Sequence, residues 1–292
     1  MGAAQSGEGC VLDADVVAYP PPWRVAAAIL KVVARGSLLL TLAMLLFSDD
    51  PPTNPLRQMR LFGGLFAAPE AAAWCIARAF AARARVEGGS LVLARPDRRV
   101  EIPLEAITGI EPWRLPLPCG GLWLRLRSGR RFALALAVAD AVGFVEGMVI
   151  AGASPSIRDG LSSPLVVFAQ ARQASPRRVL DHPIVKFVVF PLVPTLPVFR
   201  LHQIIAYGAA LGEYYTYGLK AYLLGFGLWW VSWSLNLVFV AAGARAVVEV
   251  VALVAAVAIP TYAAGTRRGL EAAQRLFYYV GIPAWLALRL LA

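Results

Sequence analysis

Apolar and polar positions along this chain follow two regimes. Near the N-terminus and again beyond residue 183 the apolar positions run almost unbroken, whereas between residues 83 and 138 they alternate with polar ones. Unbroken runs of about 20 residues read as helices in lipid, and alternation reads as half-buried strands. Residues 25–47 predict a first membrane helix, with Lys31 and Arg35 four apart on one face and able to snorkel to the nearer interface. The stretch SDDPPTNP ends it. Residues 61–82 carry Pro69, Glu70 and Arg78, and read either as the return span of a hairpin or as an interfacial amphipathic helix over 69–85.

Strands are predicted at 90–95 and 98–103 about a Pro96-Asp97 turn, and at 122–127 and 130–136 about Ser128-Gly129. Alternation puts Leu122, Leu124 and Leu126 on one face of the second hairpin and Trp123, Arg125 and Arg127 on the other. The stretch VADAVGFVEGMVIAG closes this unit as a helix. Residues 151–182 then form a polar linker with one short amphipathic helix. In PIVKFVVFPLVPTLPVFRLHQ, Pro191, Pro194 and Pro197 recur every third residue, which predicts a kinked or re-entrant segment over 184–200 rather than a regular helix. Spans at 221–241 and 246–264 follow, and a shorter apolar stretch covers 276–292. The chain thus divides into an N-terminal tail (1–22), a transmembrane hairpin (23–82), a strand-rich module (83–150), a linker (151–182) and a C-terminal membrane domain (183–292).

The turn RPDRR, the run VEIPLEAITGIEPWR, a Gly-rich turn and LWLRLRSGRRF, coming after a transmembrane hairpin and before a helix, resemble the bacterial pleckstrin-homology-like (PH-like) membrane proteins. The resemblance covers about residues 83–150. It implies an antiparallel sheet with one helix, held at the cytoplasmic side of the membrane. That length is short for the seven-stranded barrel of the family, so a smaller sheet is expected. The fold class is therefore an α-helical integral membrane protein of about four to six membrane segments, with an inserted antiparallel β plus helix module.

Composition agrees with lipid as the main solvent. Of 292 residues 59% are hydrophobic and 16% charged, with a mean hydropathy of +0.63, against about 45–50% and about 25% in soluble domains. The net charge of +10 comes almost wholly from arginine. Residues 78–178 hold fifteen arginines and TRRGLEAAQR three more. Both stretches belong in the cytoplasm by the positive-inside rule, which holds if the Pro-rich segment re-enters and the two following spans leave and return. That distribution accounts for the charge without nucleic acid. Cys10, Cys75 and Cys119 are scattered, and with only His182 and His202 no metal site or cofactor is expected. The N-terminus has no charged region ahead of an apolar core, so no cleaved signal peptide is expected; the Gly2 and Ser6 context of a myristoylation signal reads as chance.

Three constellations could carry chemistry. At about 100° per residue, His202, Glu213, Tyr217 and Lys220 share one helical face, a stripe suited to acid–base work or to a polar headgroup. The surrounding tyrosines read equally as an interfacial belt. Trp123, Arg125, Arg127, Arg130 and Arg131 form a basic, aromatic strand face that matches phosphate oxygens, or else an ordinary solvated face. Arg245 and Glu249, at (i, i+4), read as a structural ion pair. No GxSxG, P-loop or HExxH signature occurs. The leading functional expectation is a non-catalytic scaffold, assembly factor or accessory subunit of the bacterial inner membrane. Its module would bind anionic lipid headgroups or a partner within a membrane protein complex. The alternative is a membrane-embedded enzyme or carrier acting on a lipid through the His202–Glu213–Tyr217–Lys220 stripe.

Overall fold

The computed structural model describes residues 12–115, 117–174 and 178–291, with side chains to 288. Gly2, Ser6, Cys10 and the N-terminal reading made on them lie outside these residues. The described residues pack as two units, one within 12–31, 70–174 and 252–265, the other within 32–69, 178–251 and 266–291.

The first unit is organised by one antiparallel sheet of seven strands: β1 Asp13–Tyr19, β2 Ala81–Glu87, β3 Ser90–Ala94, β4 Arg99–Pro103, β5 Ile107–Pro112, β6 Gly121–Leu126 and β7 Ala135–Val138, in the order β4-β3-β2-β1-β7-β6-β5. The predicted β3–β4 hairpin forms, whereas in the second the return strand expected at 130–136 begins only at Ala135, with a single bridge, Arg125 to Arg131, before it. Gly129, at φ +76°, makes the β6–β7 turn, and Leu126 N–H donates to the Arg130 carbonyl at 2.9 Å. β1 departs from the expectation of an N-terminal tail and of a sheet short of seven strands. It takes the central place, where Val16 pairs with Ala82 on one side and Val138 on the other. Both partners are distant in sequence, so no local turn signals the strand.

One sheet face carries the core. Leu91, Leu93, Ile107, Leu122, Leu124 and Leu136 are fully buried there with Phe144, Val145 and Met148. The last three belong to the helix Ala141–Ile150, whose first turn Asp140 caps by accepting from the N–H groups of Val142 and Gly143 at 3.1 and 2.9 Å. The opposite face has a smaller aromatic cluster around Tyr19, Ala27, Trp113 and Ala137, with Phe80 and Trp123 packed against it.

Helices dominate the rest of the chain. In chain order they are α1 Pro21–Phe47, α2 Pro55–Leu61, α3 Ala68–Ala79, α4 Ala141–Ile150, α5 Pro164–Gln173, α6 Leu192–Tyr207, α7 Gly212–Ala258, α8 Ala263–Leu276 and α9 Ile282–Leu291. Three helical stretches among the described residues are long and apolar enough to cross a membrane: α1 with 27 residues, Val185–Tyr207 with 23 and α7 with 47. This is fewer than the four to six segments expected. Residues 55–79 are helical through a wider π turn at Phe62–Ala67 but are not apolar enough to join that group.

The spans predicted at 221–241 and 246–264 are one helix. No turn interrupts α7 after Gly218, whose φ of +83° and ψ of 176° set its first turn at an angle to the rest. The forty residues from Leu219 to Ala258 extend about 60 Å at 1.5 Å per residue, roughly twice the hydrocarbon thickness of a bilayer. The linking sequence AAGARA contains no proline and no turn-forming side chain. Its single glycine, Gly243, costs about 1 kcal/mol of helix propensity, which close packing against Leu42 offsets. The orientation that depended on a return at this point loses its turn.

The Pro-rich segment is helical in two pieces. A π turn, Val185–Val189, breaks at Phe190-Pro191, and α6 follows. Pro194 falls in the first turn, where a missing N–H costs nothing, and only Pro197 removes an interior bond. The Thr195 hydroxyl donates to the Pro191 carbonyl at 2.7 Å and closes the break. Gly208, at φ +72°, ends α6.

Candidate functional site

In the first unit, β6 places its side chains as alternation requires. Leu122 and Leu124 enter the core, while Trp123 is half-buried and Arg125 and Arg127 are exposed. Arg131 bridges to Arg125 across the hairpin. Glu111 of β5 accepts from Arg131 Nε at 2.7 Å and lies 3.7 Å from Arg125. Arg127 and Arg130 have no acidic partner among the described residues. This patch therefore carries four arginines and one carboxylate, which engages two of them.

Pro20 alone separates β1 from α1, and the first turns of α1 lie back on this side of the sheet. The Arg24 guanidinium lies 4.2 Å from the Trp113 ring centroid and 5.8 Å from that of Trp123. Arg131 lies 5.9 Å from the same Trp123 ring. Trp23 and Tyr19 pack on Phe80 with centroids 5.9 and 6.3 Å apart. Burial, with the Cys119 thiol nearby, pushes the Tyr19 phenol up to about 12, so it stays neutral. Arginine faces and indole rings attract through the ring quadrupole, and the effect grows as water is excluded. A basic patch and an aromatic cluster thus meet at the start of an apolar helix.

In the second unit, the stripe expected from His202, Glu213, Tyr217 and Lys220 is not assembled. Glu213 is clasped by Gln203 instead. Gln203 Nε2 donates to the carboxylate at 2.7 Å, and Glu213 N–H donates to Gln203 Oε1 at 3.0 Å. His202 packs among rings, 5.1 Å from Trp229 and 6.2 Å from Tyr207. Tyr217 contacts Tyr207 at 6.2 Å and is otherwise exposed, as is Lys220. The cause is the backbone at Gly208 and Gly218, which interrupts the single helix that a 100° projection assumes.

The Arg245–Glu249 pair forms, at 2.7 Å, and belongs to a larger network. Arg267 of α8 is fully buried. It binds Glu249 through both Nη atoms at 3.0 and 2.9 Å and Glu271 through Nε at 3.2 Å. Arg275 continues the chain of charges to Asp181, donating from Nε at 3.1 Å and Nη2 at 2.7 Å. That guanidinium holds the Asp181 carboxyl below the usual carboxylate range. Sequence spacing flags only the local pair here, because Asp181, Glu249 and Arg267 lie on separate elements. The arginine–carboxylate order of RRGLEAAQR, at (i, i+4), is the one signal that could have found the rest.

Comparison with family models, with curated proteins and with solved structures finds no match to this chain.

Proposed function

We propose that this chain is a multi-pass protein of the bacterial inner membrane and acts without catalysis, as a scaffold, assembly factor or accessory subunit. Its sheet module sits on the cytoplasmic surface and binds anionic lipid headgroups through Trp123, Arg125, Arg127, Arg130 and Arg131. One observation carries the reading: the Arg24 end of an apolar helix stacks on Trp113 and Trp123 of the sheet. If α1 enters the bilayer, its first turns and the arginine face share the headgroup layer. Aromatic rings concentrate at that depth, and each arginine near an anionic surface contributes about 1 kcal/mol. The seven-stranded antiparallel sheet, covered by a helix that follows its last strand, supports the reading of a PH-like module.

The test is binding of a headgroup-labelled phosphatidylglycerol to the full-length chain in neutral detergent, competed with phosphatidylcholine. Replacing Arg125, Arg127, Arg130 and Arg131 with Gln should abolish the preference for the anionic lipid and leave the melting temperature within a few degrees. An unchanged preference would remove the headgroup role from this face.

A further inference from the structure

Arg24 makes no ion pair or hydrogen bond through its side chain with any described residue, and its Nε is buried without a partner. Beneath it, Trp113 is 2% exposed, and its Nε1 is likewise buried without a hydrogen-bond partner among the described residues. A buried donor left unpaired costs about 1–3 kcal/mol, so two of them in one contact call for an acceptor. The charges around them point the same way. Arg24 stands at the fourth position of α1, whose first turn has no acidic residue, so its charge adds to the positive end of the helix dipole. Arg131 approaches the same Trp123 ring. The one carboxylate in the patch, Glu111, is engaged by Arg125 and Arg131.

We infer that Arg24, Trp113 and Arg131 form a binding site for one phosphate group, the headgroup phosphate of an anionic lipid lying at the start of α1. The inference rests on the membrane-surface reading above and narrows it from a diffuse basic face to one site. The phosphate accepts from the Arg24 guanidinium and from Trp113 Nε1 as the Arg24 side chain lifts from the ring, and Arg131 supplies the second positive charge. Trp123 stays between the two guanidinium groups and limits water. Gly121 keeps Trp113 in place: a Cβ there would stand 2.7 Å from Trp113 Cζ2 and 2.5 Å from the Leu136 carbonyl oxygen.

The experiment titrates the full-length chain in neutral detergent with four probes: short-chain phosphatidylglycerol, short-chain phosphatidylcholine, glycerol phosphate and inorganic phosphate. Preference for the anionic lipid supports the headgroup source. Equal affinity for glycerol phosphate or inorganic phosphate keeps the site and overturns the lipid as its ligand. Arg24→Gln should weaken phosphatidylglycerol about tenfold, the loss of one charge-assisted hydrogen bond. Trp113→Phe, which keeps a ring and removes the donor, should weaken it several-fold, and Arg24→Gln decides alone if that variant does not fold. Wild-type affinity in Arg24→Gln overturns the site; if Arg125→Gln/Arg127→Gln/Arg130→Gln then abolishes binding, the broader face stands without it. Loss in Arg24→Gln with no loss in the triple variant supports the site and retires the broader face. No binding of any probe to the wild type overturns both.

Discussion

Arg267 of α8, with none of its side chain exposed, holds Glu249 of α7 by two hydrogen bonds of 3.0 and 2.9 Å. The same guanidinium reaches Glu271, so one buried cation bridges two carboxylates. Removing it leaves the two carboxylates facing each other beside Arg245 and Arg275, each of which already shares its charge. Arg267→Met should therefore destabilise the protein by about 3–5 kcal/mol. Thermal unfolding in detergent measures this, and an unchanged midpoint would show that the network contributes little to stability.

The unbroken course of α7 separates the structure from the two-span reading. Ala244→Pro removes the hydrogen bond to the Val240 carbonyl and should cost about 3 kcal/mol in a continuous helix. In a turn between two spans the same substitution would be tolerated. Circular dichroism and melting of the variant distinguish these outcomes.

Glu213 and Gln203 exchange two hydrogen bonds, and Gln203 is fully buried. Glu213→Gln keeps an acceptor for Gln203 Nε2 and should cost under about 1 kcal/mol. Glu213→Ala strands that donor and should cost about 2 kcal/mol. A catalytic Glu213 would behave differently: Glu213→Gln would be as damaging to function as Glu213→Ala while the melting temperature held.

The Asp181–Arg275 tie has a definite pH dependence. Hydrogen bonding to Arg275 lowers the Asp181 carboxyl below its ordinary range, against a smaller opposing effect of desolvation. Its unfolded value is about 3.9, so the stabilisation is complete above about pH 4 and disappears as the pH falls through the lower folded value. Asp181→Asn should thus melt lower than the wild type at pH 7, by about 1–2 kcal/mol. The gap should close in acid, and a gap that stays constant down to pH 2 would contradict the assignment.

Gly121 offers a structural control. Alanine there meets the Leu136 carbonyl and the Trp113 ring, and should cost about 2 kcal/mol through overpacking. Gly120→Ala, where a Cβ meets nothing within 4 Å, should be close to neutral.

Some of this was readable in the chain and some was not, for identifiable reasons. The hairpins at β3–β4 and β6–β7 are legible because alternation and turn residues are local: Leu122, Leu124 and Ser128-Gly129 sit within a few positions of one another. β1 is not, since DADVVAY has neither a turn nor a partner nearby and pairs with β2 and β7 across long stretches of chain. The basic face of β6 follows from period-two alternation. Its connection to Arg24 does not, because Trp113 and Arg24 meet only when β1 has been drawn into the sheet. The His202 stripe fails for the opposite reason: a helical projection treats Gly208 and Gly218 as ordinary helix positions, and their positive φ angles break it.

By itself the sequence determined the local elements. Its long apolar runs specify helices suited to lipid, its alternating stretch specifies strands, and its (i, i+4) charges specify the Arg245–Glu249 pair, all through interactions that span a few residues. Tertiary structure decided the rest. The central place of β1, the continuity of α7 past Gly243, the burial of Arg267 between two carboxylates and the stacking of Arg24 on Trp113 each depend on which distant surfaces meet. Such pairings are settled by close packing and by the cost of leaving buried polar groups without partners, and no window of neighbouring residues contains either.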